Sequence, residues 1–278
     1  MSNKILLVDA DALCYHSSKQ TIEESIQIMN DKITNMFIQT EADYYLMAIS
    51  EGKYFRHTIY PAYKAQRGTS QLKWLRTLKA YLKEEYGAVS YPLLEADDVV
   101  SYFASIKELD AEYIIASPDK DVLFTIPGKH FNYTYKSVDL VGEIPEKSVV
   151  EFNTLKGWWV ETSIQDAVHY FNYLMIGGDA SDNILTPFPA NCAEYNQCSI
   201  MDDVLNGYIN GFNYQTPTGQ KKFKDGLGVI EGTELFNLNY RLISLLNKDN
   251  QEWFIKQGVL LPELGTNLHP INKEAPVW

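Results

Sequence analysis

The chain opens on a continuous apolar run, Lys4–Val8 (KILLV), which predicts a strand buried on both faces, as in a parallel sheet. Asp43–Ile49 (DYYLMAI) and Glu112–Ala116 (EYIIA) repeat that pattern, and His130–Tyr135 and Val138–Val141 predict two shorter strands around a turn. Between these runs apolar residues recur at helical spacing, predicting helices over Thr21–Thr40, Gln71–Tyr86 and Glu95–Glu108. Strands alternating with helices imply βαβ units and a mostly parallel sheet. Ser163–Ile176 predicts a helix stopped by Gly177-Gly178. Beyond residue 185 strand-like runs cease, and Met201–Ile209 and Glu231–Leu246 predict helices. The expected organisation is an α/β core over residues 1–185 and a helical region over 186–278.

Composition sharpens this picture. With 278 residues, 45% of them apolar and 22% charged, the chain can bury a sizeable core. No stretch approaches the roughly 18 apolar residues of a membrane span. Asp9 and Asp11 interrupt the opening apolar run, which excludes a signal peptide. Three cysteines argue against a disulfide scaffold and for a reducing, cytoplasmic setting.

A net charge of −12 argues against a polyanionic partner until its distribution is considered. Gly52 to Lys83 contains no acid but holds Lys53, Arg56, Lys64, Arg67, Lys73, Arg76, Lys79 and Lys83. Lys73, Arg76, Lys79 and Lys83 are three or four residues apart, so a helix would place them on one face, beside a stripe of Leu72, Leu75, Leu78 and Leu82. Tyr54, Phe55, Tyr60 and Tyr63 interleave the basic loop. Cations for phosphates and flat rings for unstacked bases suit single-stranded nucleic acid, although a solvated helix face explains the cations as well.

The acids gather in four places: Asp9 and Asp11 after the first strand; Glu95, Asp97 and Asp98 (EADD) at a helix start; Asp119 and Asp121 (SPDKD) after the third core strand; Asp179 and Asp182 (GDASDN) after a glycine break. Singly, each has an ordinary explanation as a helix cap or turn. Together they stand where a parallel α/β sheet gathers ligands, beyond the carboxyl ends of its strands. Crowded carboxylates repel unless cations intervene, and hard oxygen donors select Mg²⁺ or Mn²⁺. Two such ions about 4 Å apart can clamp a phosphodiester for hydrolysis.

ILLVDADAL, YFRHTIYPAYKAQR, LLEADDVV, IIASPDKDVL and IGGDASDN, in this order across residues 4–183, make the chain resemble the 5′-nuclease family. That family comprises phage 5′-to-3′ exonucleases and flap endonucleases and the 5′-nuclease domain of bacterial DNA polymerase I. The resemblance implies a PIN-like core, a helical arch over residues 52–86 and a helical C-terminal part. It implies cleavage of DNA near a free 5′ end (flap, nick or single strand) with two Mg²⁺ or Mn²⁺ ions. The expected setting is a monomer in the cytoplasm of a bacterial or phage-infected cell, alongside replication proteins and without a membrane. Carried over by motif, Asp9, Glu51, Glu95, Asp97, Asp98, Asp119, Asp121, Asp179 and Asp182 are metal ligands. Lys64 and Arg67 hold the scissile phosphate, and Arg56 matches a further DNA-contacting cation; Lys73 and Arg76 extend the basic surface. Glu51 stands where the family has Asp. Ile184–Cys198 lacks the glycines of the family's duplex-binding hairpin, so duplex contacts are expected from Lys221, Lys222 and Lys224. The competing readings are a catalytically impaired DNA-binding relative, a PIN-type ribonuclease and a haloacid-dehalogenase-type phosphatase, the last suggested by Asp9-x-Asp11.

Overall fold

The computed structural model describes residues 3–65, 73–134, 159–179, 181–184, 201–210 and 232–273. The chain divides into two compact units. Met1–Tyr54, Ser70–Ser163 and Leu245–Trp278 form the first, Phe55–Thr69 and Ile164–Ser244 the second.

The first unit is built on six strands: β1 (Asn3–Asp9), β2 (Tyr44–Ala48), β3 (Ala111–Ala116), β4 (Gly128–Phe131), β5 (Trp159–Thr162) and β6 (His269–Pro270). Their order is β5-β4-β3-β1-β2-β6. The β1–β2, β1–β3 and β3–β4 pairs are parallel, and the two edge strands are antiparallel. This is the mostly parallel sheet expected from the alternation. Ile5, Leu6, Leu7 and Val8 of the central strand are all buried, which is why β1 reads as an unbroken apolar run.

Its helices are α1 (Ala10–Ser17), α2 (Ile22–Thr40), α4 (Leu75–Tyr86), α5 (Ala96–Ile106), α6 (Lys120–Thr125) and α10 (Gln251–Lys256); the second unit holds α3 (Phe55–Ile59), α7 (Ile164–Gly177), α8 (Met201–Asn210) and α9 (Gly232–Ile243). Helix α2 starts where the Thr21 hydroxyl accepts the Glu24 N–H, and it buries Met29, Ile33 and Met36. Those residues share a core with Leu6 and Val8 of β1 and with Leu78 and Leu82 of α4. Truncating either leucine to alanine would cost about 2–5 kcal/mol. Helix α4 ends at Gly87, whose φ of 63° is left-handed. A Cβ at Gly87 would collide with the His269 ring, which stacks on Tyr45 beside the β6–β2 pairing.

Several short elements differ from expectation. Helices α1, α3 and α6 span eight, five and six residues, too few to display a helical period. The expected strand over His130–Tyr135 ends at Phe131, because the Asn132 side chain accepts the Thr134 N–H and turns the chain. Val138–Val141 lies outside the described residues. No helix among the described residues is long and apolar enough to cross a membrane.

In the second unit Tyr208 and Asn239 join α8 to α9, with the Asn239 amide donating to the Tyr208 hydroxyl at 2.9 Å. Gly232 permits the contact, since a Cβ there would strike the Tyr208 carbonyl. Arg56, expected from the sequence as a DNA-contacting cation, is buried in this unit. Its side chain is 1% exposed, and Nε and one Nη donate to the carbonyls of Leu242 and Ser244, each at 2.9 Å. Those oxygens belong to the end of α9, where helix carbonyls lack partners and the dipole favours a cation. The guanidinium also lies 4.6 Å from the Phe55 ring centroid. Arg56 is therefore a C-terminal helix cap, its guanidinium engaged with the protein's own carbonyls. Phe55, Tyr60 and Tyr63 are likewise buried and offer no stacking platform to bases.

Two predictions follow from these buried groups. His130 is fully buried on β4, with Nε2 2.7 Å from the Ile126 carbonyl, and burial pushes its pKa down to about 4. The folded value lies below the ordinary one, so this stability is present above about pH 6.5 and is lost as pH falls toward 4. Urea titrations at pH 7.5 and 4.5 should show wild type losing about 2–3 kcal/mol more than His130→Leu over that interval. Arg56→Met should destabilise the protein by about 2–5 kcal/mol, because it orphans two buried carbonyls. A variant that keeps full stability in denaturation but loses affinity for single-stranded DNA would return Arg56 to the DNA-binding set.

Candidate functional site

The register places Asp9 opposite Ala48 and Val8 opposite Ala116, so the carboxyl ends of β1, β2 and β3 are level. Acidic residues leave from each of these ends. Asp9 caps α1, its Oδ1 accepting the Asp11 N–H at 3.3 Å. Ser117 donates its hydroxyl to Asp9 Oδ2 at 3.0 Å and accepts the Asp119 N–H at 3.1 Å. Asp119 is exposed and caps α6 by accepting the Asp121 N–H at 2.9 Å. Tyr133, also buried, donates to the Asp9 carbonyl at 2.7 Å. Burial, reinforced by the charges of Asp11 and Asp119, pushes the Asp9 carboxyl up to about 7.

The EADD segment forms the tightest group. Glu95 precedes α5 in a reciprocal capping box with Asp98, whose Oδ2 accepts the Glu95 N–H at 3.2 Å. The other Asp98 oxygen accepts the Leu246 N–H at 3.2 Å. Glu95, Asp97 and Asp98 can each offer a carboxylate oxygen with all three within 4.8 Å of one another. Capping and metal binding are thus compatible here: the cap fixes the geometry, and clustered hard donors suit a divalent cation.

A polar bracket not anticipated from the sequence supports this group. Ser50 accepts the Ala96 N–H at 2.8 Å, where α5 begins, and its own N–H donates to Asp11 Oδ1 at 3.0 Å. Lys79 Nζ lies 2.6 Å from both Asp11 Oδ1 and the Ser50 carbonyl. Asp11 is therefore held by α4 through Lys79. Lys83 lies 2.5 Å from Glu51, which also accepts the Ser90 hydroxyl at 2.8 Å. These partners, Lys83 foremost, hold the Glu51 carboxyl below the ordinary carboxylate range. Glu51 is exposed and is not among the clustered EADD donors. Of the expected row of four cations, Lys79 and Lys83 serve the protein's own carboxylates. Lys73 and Arg76 are exposed, with Lys73 lying before α4 and 4.4 Å from the Trp74 ring centroid. Of these groups the S-x-D-x-D motif already hinted at Ser117, whereas nothing local signalled Ser50 or Lys79.

In the second unit Asp179 Oδ1 accepts both the N–H and the hydroxyl of Ser181 at 2.7 Å. Paired backbone bonds between Asp179 and Ile184, at 3.0 and 2.7 Å, close this turn. Asp182 faces the start of the basic loop: its Oδ2 accepts the Tyr63 hydroxyl at 2.9 Å and lies 3.6 Å from Lys64 Nζ. Arg67, Lys221, Lys222, Lys224 and the segment following Ile184 lie outside the described residues.

The comparisons with known proteins agree with this architecture. The chain aligns over 87% of its length with the bacteriophage T5 flap endonuclease in a complex with DNA and metal ions, covering 89% of that chain at 17% identity and a TM-score of 0.60. A structure of the T5 5′-exonuclease with bound divalent zinc aligns over 91% of this chain and 97% of its own, at 19% identity and a TM-score of 0.58. At such identities these matches establish a common fold. The profile of the 5′-3′ exonuclease N-terminal resolvase-like domain matches residues 4–152, more than half of the chain, including β1 to β4 and the clustered acids Glu95, Asp97 and Asp98. The chain therefore belongs to the 5′-3′ exonuclease family.

Proposed function

We propose that this protein is a divalent-metal-dependent 5′-to-3′ exonuclease and flap endonuclease acting on DNA with a free 5′ end. The observation that carries the reading is the convergent carboxylate set of Glu95, Asp97 and Asp98 in a chain of this family. The fit to a metal is tested by the donor chemistry around Asp9: this carboxyl is buried beside Asp11 and Asp119, burial and their charges raising it to about 7, and hard oxygen donors crowded in this way suit a divalent cation. The T5 relatives with bound metal ions and DNA support the same reading.

Glu95, Asp97 and Asp98, with Asp9 and Asp119, are proposed to hold one Mg²⁺ or Mn²⁺. Asp121, and in the second unit Asp179 and Asp182, are the further carboxylates proposed as ligands. When bound, the divalent ion supplies Lewis acidity toward the phosphodiester and lowers the pKa of water. Ser117 fixes the Asp9 carboxylate by a hydrogen bond and Ser50 fixes the start of α5 by accepting the Ala96 N–H, so little reorganisation is needed when charge develops. Lys64 and Arg67 are proposed to neutralise the scissile phosphate. Water adds to phosphorus and the P–O3′ bond breaks, leaving a 5′-phosphate; no covalent intermediate and no histidine is required.

Cleavage of 5′-labelled flap, nicked and single-stranded DNA tests this function. Activity should appear with Mg²⁺ and vanish in EDTA. Because Asp119 is exposed, Asp119→Asn should lower the rate by about 10²-fold or more while leaving the melting temperature unchanged. Full cleavage in EDTA would overturn the reading. Metal binding should also be linked to protons. The raised Asp9 pKa means that the contribution of this one carboxyl to metal-free stability is fully present near pH 4 and is lost as pH rises through about 7. Mg²⁺ should therefore release protons at pH 6 but few at pH 8, as calorimetry in buffers of different ionisation enthalpy would detect.

A further inference from the structure

The backbone around Lys64 is unusual. Its φ is 55° and that of Asn183 is 60°, both in the left-handed region. Asparagine enters this region readily, whereas lysine rarely does. Such a conformation persists where its surroundings over-determine it. Here the surroundings are the closed turn Asp179–Ile184. The Lys64 N–H donates to the Asp182 carbonyl at 3.0 Å, and the Asn183 amide donates to the Ala62 carbonyl at 2.9 Å. The Tyr63 hydroxyl donates to Asp182 Oδ2 at 2.9 Å. Three consecutive residues, Ala62, Tyr63 and Lys64, are thus gripped by two, Asp182 and Asn183.

From this clamp we infer that Asn183 is a positioning residue for Lys64. Its side chain fixes the Ala62 carbonyl, and its left-handed backbone sets the direction of the Asp182 carbonyl that receives the Lys64 N–H. Together they hold Lys64 in its left-handed conformation and so determine where its ammonium begins. The position asks for two properties at once, a tolerated positive φ and a donor that can reach a carbonyl. Aspartate tolerates the φ but offers no N–H when ionised, and glycine offers the φ with no side chain. Asn183 need not touch DNA in this role; it acts through Lys64. The inference rests on the proposed nuclease function, in which Lys64 meets the scissile phosphate.

The experiment uses the full chain as wild type, Asn183→Gly, Asn183→Asp, Lys64→Ala and the double variant Asn183→Gly/Lys64→Ala. Glycine keeps the left-handed backbone, so its effect isolates the lost donor. Single-turnover cleavage of 5′-flap DNA in Mg²⁺ should slow about tenfold in Asn183→Gly, because a small displacement of a charged group is costly in rate. Asn183→Asp should slow at least as much. Affinity for the same DNA in Ca²⁺ should stay within about twofold of wild type. In the Lys64→Ala background, adding Asn183→Gly should change the rate by less than about twofold, since the group it positions is gone. Hydrogen exchange at the Lys64 amide, measured without metal or DNA, should accelerate in Asn183→Gly. Rate losses that multiply in the double variant, or a Lys64 amide equally protected in wild type and Asn183→Gly, would overturn the inference while leaving an active nuclease in place. An inactive wild-type protein would overturn the nuclease reading itself, whatever the exchange data show.

Discussion

Negative charge gathered at the carboxyl ends of three parallel strands is the constraint around which the first unit is arranged. Asp9, Glu95 and Asp119 each stand at the start of a helix, where unpaired N–H groups and the helix dipole lower the cost of a charge. Ser117 adds a hydroxyl donor to Asp9 and Ser50 a backbone N–H to Asp11, while Lys79 and Lys83 add two full charges from α4. Even with these partners, burial and the neighbouring acids hold the Asp9 carboxyl up at about 7. A divalent cation completes this arrangement more naturally than any further side chain could, since it brings two charges to several oxygens at once.

The elements legible in the sequence were those whose period or composition exceeded their length. The β1 run and the Met29, Ile33 and Met36 face of α2 are examples, because burial on both faces or on one stripe leaves a direct imprint. The acid motifs were equally visible, since their residue types and spacing are the chemistry. What sequence reasoning missed was partnership over long separations. Arg56 reads as one cation among eight in an acid-free stretch; only the fold sets it on carbonyls almost two hundred residues later. Tyr60 and Tyr63 read as possible stacking rings, yet burial claims them. Lys79 and Lys83 read as an outward row, but helical spacing fixes which residues share a face and says nothing about what that face meets.

The basic stretch therefore has a divided character. Arg56 secures a helix end, Lys79 and Lys83 balance acids, and Lys73 and Arg76 are exposed to solvent. Counting cations overstates the charge available to a polyanion, because part of it is already neutralised within the protein. The same economy holds for the acids, where one side chain both starts a helix and contributes an oxygen to a cluster. Helix capping and ligand placement impose the same geometric requirement on Glu95 and Asp98, so a change at either would be felt in folding and in chemistry together.

The pairing of β6 with β2 bears on how the chain is made. Val89 pairs with the outer edge of β2 at Met47 and Ile49, but residues 44 and 45 meet residues 270 and 269, so the first half of that edge has its partner only after more than two hundred further residues are made. The His269 ring, filling the space beside Gly87 and stacking on Tyr45, arrives with that strand. Until then Tyr44 and Tyr45 lack the strand that pairs them in the finished sheet. Closure of that end of the edge is thus a late event in the making of each molecule, and a two-residue strand is all that separates an open edge from a covered one.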